Sequence, residues 1–242
     1  MTIPSAMVVA GPGTNRDRDV SLALELAGAD PQIVLVDELT ADPTRVAAVD
    51  MIVVAGGFSY GDALGAGRLL ALDITTGNFG HLGDALRQFV ASGRPVLGIC
   101  NGFQVLTRAG LLPGALGHNR TGHFVCQWVS LAKEPGSRSI WTHHAPDRID
   151  CPIAHGEGRY VHPDPQALAA AGQVALRYAG SNPNGSVADI AGVCDETGLV
   201  LGLMPHPENH TVARQHPRHR RDPATAGTLG IALFRSAVRY VT

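Results

Sequence analysis

The segment Val96-Leu97-Gly98-Ile99-Cys100-Asn101-Gly102-Phe103-Gln104 changes character at its centre. The apolar run from Pro95 to Ile99 has the length and composition of a buried strand. Gly98-x-Cys100-x-Gly102 overlaps its end, and a helix-like segment follows from Asn101 to Ala109. This is the strand–turn–helix pattern of a nucleophile elbow, with cysteine in place of serine. Gly98 and Gly102 leave room for a turn that side chains would crowd. The turn lifts the Cys100 sulfur to the top of a sheet, at the N-terminus of a helix. There the helix dipole and free N–H groups favour thiolate over thiol. A cysteine so placed points to acyl transfer. Cys126, Cys151 and Cys194 lie in apolar strand patterns and read as inert small hydrophobes.

The surrounding sequence repeats the alternation of strand and helix. Ala6–Ala10, Ile33–Val36 and Met51–Val54 read as strands before the one at 95–99. Helical stretches run from Asp19 to Gly28, after Asp42-Pro43, up to Asn78, and from about Gly80 to Ser92. Such alternation predicts an α/β fold, a mostly parallel sheet with helices on both faces. Ligands in these sheets sit at the carboxyl ends of the strands. The loops at 11–17, 55–62 and 98–102 all lie at those ends and should converge. After Gly114 the pattern shifts to strands with little helix between them: 124–132, 149–155, 173–179 and 186–193. These predict a smaller antiparallel extension. Val200–Met204 is a further buried strand, and Thr228–Val241 a terminal helix. Neither an internal repeat nor an interdomain linker interrupts the chain, so 1–242 reads as one domain. The basic, Pro-containing stretch 212–227 reads as a solvated loop, with a partner-docking insert as the sharper alternative.

Composition narrows the chemistry. With 45% hydrophobic and 17% charged residues, 242 residues can build a sizeable core. A net charge of −2 gives no electrostatic case for nucleic acid or an acidic membrane. No apolar run reaches membrane-span length. MTIPSAMVVAGPG has no basic leader region and reads as a first strand. The four cysteines show no CxxC pair or regular spacing. That argues against zinc and disulfides and for a reducing cytoplasm. Lys133 is the sole lysine, so no GxxxxGK[ST] phosphate loop exists. If the reaction consumes ATP, another chain binds it. Gly11-Pro12-Gly13 fails as a dinucleotide fingerprint because Arg16 holds its sixth position.

A nucleophilic cysteine needs a base, and the base an orienting acceptor. His206-Pro207-Glu208 directly follows a buried strand, on the edge where Cys100 is expected, and Pro205 and Pro207 stiffen it. His206 is therefore the candidate base and Glu208 its orienter. The order Cys…His…Glu differs from that of α/β-hydrolases. A second His-x-Glu, His155-Gly156-Glu157, has either a pocket or docking role or a purely structural one. Oxyanion donors are expected from the Gly56-Gly57-Phe58 loop and from the N–H of Asn101.

GGFSYGD at 56–62, PVLGICNGFQVL at 95–106, GLLPGAL at 110–116, PIAHGEG at 152–158, NGSVADIAGV at 184–193 and LGLMPHPE at 201–208 resemble the class I (triad) glutamine amidotransferases. Within them the chain is most similar to the glutaminase subunits of phosphoribosylformylglycinamidine synthases. The elbow and PHPE are shared by the wider superfamily; GGFSYGD, AHGEG and NGSVADIAGV are more specific. The insert around 212–227 departs from that pattern.

The resemblance implies a flavodoxin-like fold and a Cys100-His206-Glu208 triad that forms a glutamyl thioester. It also implies an oxyanion site at Gly57, Phe58 and Asn101, and a glutamine pocket lined by Gln104. The implied partners are an ATP-dependent synthase subunit, which holds ATP and Mg²⁺, and a small third subunit. A non-catalytic scaffold of the same fold, or an amidotransferase for another synthase, are the competing readings.

Overall fold

The structure, a computed structural model, describes residues 2–76 and 81–242. Asn78 and Gly80, which bound two of the expected helical stretches, lie outside them. The first half alternates as anticipated. β1 (Ser5–Ala10) leads through α1 (Asp17–Ala27) to β2 (Asp30–Leu35), and α2 (Val36–Ala41) precedes β3 (Met51–Val54). Then come α3 (Arg68–Thr76), α4 (His81–Ala91), β4 (Val96–Ile99) and α5 (Asn101–Arg108). The second half holds β5 (Ala115–Gly117), β6 (Val125–Lys133), α6 (Ile140–His143), β7 (Arg148–His155) and β8 (Arg159–Val161). It continues with α7 (Pro165–Ala170), β9 (Val174–Ala179), β10 (Ile190–Cys194), β11 (Val200–Leu203), α8 (Pro223–Ala226) and α9 (Ala232–Val241).

Nine of these strands form one sheet, ordered β2-β1-β3-β4-β11-β10-β9-β6-β7. The pairs from β2 to β11 are parallel. Those from β11 to β7 are antiparallel, which is the expected extension built onto the same sheet. β3, β4 and β11 are buried along their whole length, which is why they read as unbroken apolar runs. Because β1, β3, β4 and β11 run parallel, their carboxyl ends share one edge. No helix among the described residues is long and apolar enough to cross a membrane.

Several boundaries differ from expectation. β2 begins at Asp30 and includes Pro31, which an edge strand tolerates because one side of its ladder is unpaired. Val36 belongs to α2, where the Glu38 side chain accepts the Leu35 N–H at 3.2 Å. The segment after Asp42-Pro43 is only a 3₁₀ turn, Pro43–Ala48. β10 starts at Ile190, since Ala188 and Asp189 turn through positive φ. α9 starts at Ala232, after a turn in which Gly230 presses on the Pro207 backbone. The β5–β8 pair was not anticipated. Cys126 is exposed on β6, whereas Cys151 and Cys194 are buried. Cys126 faces solvent because the outer antiparallel strands have one wet face.

The 212–227 segment is not wholly solvated either. His216 is buried beside Trp128 and His210, and the His216 Nε2 lies 3.3 Å from the Asp150 carboxylate. Its arginines 214, 218, 220 and 221 remain exposed.

Candidate active site

The elbow forms where β4 gives way to α5. Cys100 has φ 51° and ψ −104°, a conformation costly for a residue with a side chain. Its N–H donates to the Leu203 carbonyl at 2.8 Å, which ties the turn to β11. The turn closes only because two flanking residues lack side chains. A Cβ on Gly102 would lie 2.0 Å from the Val54 carbonyl oxygen, and one on Gly98 2.7 Å from the Gly102 backbone. Cys100 is 5% exposed, with its sulfur 3.8 Å from the Ala154 carbonyl oxygen at the end of β7.

His206 follows β11 and reaches the same sulfur. Its N–H is held by the Pro152 carbonyl at 2.9 Å, which joins the PHPE segment to β7. The ring's Nδ1 is 2.6 Å from Glu208 Oε1, and the imidazole lines the same cavity as Cys100. Glu208 is 2% exposed, and its Oε2 has no partner among the described residues. Burial opposes a charge on His206, but Glu208 and then Cys100 outweigh it and raise the imidazole pKa to about 10. The ring thus carries a proton at neutral pH, with a buried carboxylate to balance it.

The loops at 11–17 and 55–62 do converge here. Thr14 and Gly57 form an antiparallel bridge, and the Arg16 N–H donates to the Gly56 carbonyl at 3.2 Å. Gly57 has φ 142°, and a Cβ there would fall 2.6 Å from the Asn15 nitrogen. One expected oxyanion donor is lost in this arrangement. The Phe58 N–H donates to the Gly13 carbonyl at 3.1 Å, so it is not free for a ligand. The N–H groups of Gly57 and Asn101 have no acceptor among the described residues. Asn101 is the first residue of α5, where helix geometry leaves its N–H unpaired.

Two small cavities flank the sulfur, each of about 20 Å³. One is lined by Asn15, Arg16, Gly57, Phe58, Ala154 and His206. The other includes Asp62, Gln104, His155 and Glu157. Gln104 is buried and locked: its amide donates to the Glu157 carbonyl at 2.6 Å and accepts from Asn101 Nδ2 at 3.0 Å. Among the described residues, no group of three or more His, Cys, Asp or Glu is arranged to hold a metal ion.

A family model described as a CobB/CobQ-like glutamine amidotransferase domain matches residues 3–241. A phosphoribosylformylglycinamidine synthase subunit PurQ from Treponema denticola is 41% identical, over 98% of this chain and 99% of its own. Its counterpart from Lacticaseibacillus casei is 44% identical, over 96% and 94%. The chain belongs to the PurQ family of glutamine amidotransferases. A chain in the structure of PurLQS from Thermotoga maritima superposes with a TM-score of 0.80 at 37% identity, covering both chains completely. A more distant glutamine amidotransferase from the same organism, at 14% identity and TM-score 0.57, shares the fold alone.

His155 and Glu157 also come to this PurQ-family site. His155 is buried, and burial followed by the neighbouring His206 pushes its pKa down to about 4. Asn119 fixes its tautomer. The Asn119 amide donates to the His123 and His155 carbonyls, and its Oδ1 accepts the Gly158 N–H, so His155 Nδ1–H donates to Oδ1 at 3.1 Å. That leaves Nε2 as a bare acceptor, with no partner among the described residues. Glu157 Oε1 accepts the Ala66 N–H at 3.3 Å, and Oε2 is 3.7 Å from Arg108. Asn119, Asp62 and Arg108 went unassigned in the sequence. Asp62 stood within GGFSYGD, which was a usable signal; Asn119 and Arg108 had none.

Proposed function

We propose that this chain is the glutaminase subunit of a phosphoribosylformylglycinamidine synthase in purine biosynthesis. The observation that carries the reading is the Cys100 elbow, sharing a cavity with an imidazole that rests on the buried carboxylate of Glu208.

Cys100 attacks the side-chain carbonyl carbon of L-glutamine. Negative charge develops on the amide oxygen, where the Gly57 and Asn101 N–H groups receive it. As the tetrahedral intermediate collapses, the C–N bond breaks and His206 gives its proton to the departing nitrogen. Ammonia leaves, and a glutamyl thioester remains on Cys100. His206, now neutral, takes a proton from water as that water attacks the thioester. The C–S bond breaks, glutamate departs, and the thiolate and imidazolium are restored. Glu208 holds the ring orientation throughout, through the Nδ1 bond. Gln104, anchored on both amide atoms, lines the pocket for the glutamine backbone.

Ammonia is largely protonated in neutral water, and ammonium is no nucleophile. The product must therefore pass by a sheltered route to an ATP-dependent synthase subunit, which converts formylglycinamide ribonucleotide to formylglycinamidine ribonucleotide. ATP and Mg²⁺ belong to that partner, and a small third subunit bridges the two. The likeness to a chain of PurLQS from Thermotoga maritima supports an assembly of this kind.

The test is a Cys100→Ala complex. Glutamine-dependent synthesis should vanish while added ammonia still supports the synthase. Survival of the glutamine-dependent reaction would remove Cys100 from the mechanism.

A further inference from the structure

The cavity on the Glu157 side of Cys100 is unevenly charged. Two carboxylates, Asp62 and Glu157, line it together. Glu157 is compensated, with Arg108 at 3.7 Å and the Ala66 N–H at 3.3 Å. Asp62 is not: it forms no ion pair among the described residues. Its side chain has only the Asn101 Nδ2, at a long 3.4 Å. Burial, then the neighbouring Glu157, raise the Asp62 pKa, the mark of a carboxylate without its cation. A second group in the same cavity also lacks a partner. His155 Nε2 is buried, unprotonated and unpaired, so it offers another acceptor. The cavity therefore presents acceptors and negative charge beside a nucleophile, and no cationic side chain among its lining residues pairs with Asp62.

Resting on the glutaminase reading, we propose that Asp62 is the residue that recognises the substrate's α-ammonium group, with Glu157 and the His155 Nε2 as supporting acceptors. Glutamine is an amide that carries its cation at the far end from the reacting carbonyl. A carboxylate in the Cys100 cavity and lacking its own cation matches that cation. Asn101 links the two ends, since its backbone N–H faces the oxyanion position while its side chain touches both Asp62 and Gln104. Asp62 therefore selects amino-acid amides over simple amides of the same length.

The test compares glutamine with glutaramate, which is glutamine without its α-amino group, in the complex with the synthase subunit. The readout is the ratio of their kcat/KM values. The wild type should strongly prefer glutamine. Asp62→Asn should lower that ratio at least about tenfold, through KM for glutamine more than through kcat. Asn is the apt replacement because it tolerates the positive φ of 54° at this position. A merely disordered site would lose both substrates in parallel, so the ratio separates recognition from folding. A preserved ratio, or a parallel loss, overturns the assignment. A wild-type complex that cleaves neither amide would sink the glutaminase reading along with it, whereas a glutamine-preferring wild type with an unchanged Asp62→Asn ratio overturns the Asp62 role alone.

Discussion

Glu208 sits two residues from His206, yet a strand end and two prolines are needed to turn its carboxylate onto Nδ1 at 2.6 Å. Its charge, together with that of Cys100, keeps His206 protonated against the cost of burial. Glu208→Gln removes that counter-charge and leaves the burial. The imidazolium then loses its proton at lower pH, and the general acid is missing. We expect kcat to fall on the order of 10²-fold, with the alkaline limb of the pH–rate profile moving toward neutral pH. An unmoved limb would show that another group protonates the leaving nitrogen.

The two histidines also give opposite pH signatures in stability. His206 has a raised pKa, so the native state binds the extra proton. Its contribution is full below about 6.5 and lost as pH rises toward about 10. His155 has a lowered pKa, so the unfolded state binds the extra proton. Its penalty grows as pH falls from about 6.5 to about 4, on the order of 3 kcal/mol in all. Urea unfolding from pH 4 to 7 should therefore show an acid slope that His155→Gln flattens. His155→Gln should also cost far less glutaminase activity than His206→Gln; the reverse order would move the base role to His155.

At the scale of elements, the site exists because strands and loops approach closer than side chains allow. Gly57→Ala places a methyl against the Asn15 nitrogen and forces an unfavourable φ. The loop must shift, and its N–H shifts with it. The expected loss in kcat is about 10²–10³-fold, the cost typical of an oxyanion donor. Gly93→Ala is the control: it shares the positive φ, but an added methyl there meets nothing within 4 Å. It should lose some stability and no activity. Equal kinetic losses in both variants would mean that general destabilisation, and not donor placement, explains the effect.

The same closeness explains what the sequence revealed and what it hid. Met51–Val54 and Val96–Ile99 were legible because strands buried on both faces must be apolar throughout. Cys100, His206 and Glu208 stood out because their spacing has a mechanical reason, and the fold does bring the three together. Val36 was misread because an apolar residue at a strand–helix junction fits either element, and the Glu38 cap decides between them only in three dimensions. Phe58 looked like a donor because local sequence cannot reveal that Gly13, forty-five positions earlier, takes its N–H. Asp62 and Asn119 act through partners equally remote in sequence.

For the whole molecule, the deciding quantity is room. The cavities beside Cys100 measure about 20 Å³ each, near the space of a single water, so the approach to the sulfur is narrow. A wall that moves outward would widen the way in for glutamine. The wall with most reason to move is the loop from Phe58 to Gly67, where Tyr60, Asp62 and Leu64 all hold positive φ. It carries its own anchor, a Tyr60 hydroxyl bond to Asp73 at 2.6 Å. A loop strained at three positions, and held in place by a few side-chain hydrogen bonds such as this one, is suited to a second arrangement that binding selects. The isolated chain should therefore hydrolyse glutamine slowly, because most molecules are closed. Adding the synthase subunit should raise kcat/KM for glutamine by about tenfold or more, within the usual range of coupling between sites. Tyr60→Phe releases the Asp73 anchor and should raise the rate of the isolated chain toward that of the complex. If the free chain is already as fast as the complex, and Tyr60→Phe changes nothing, entry is not gated by this loop.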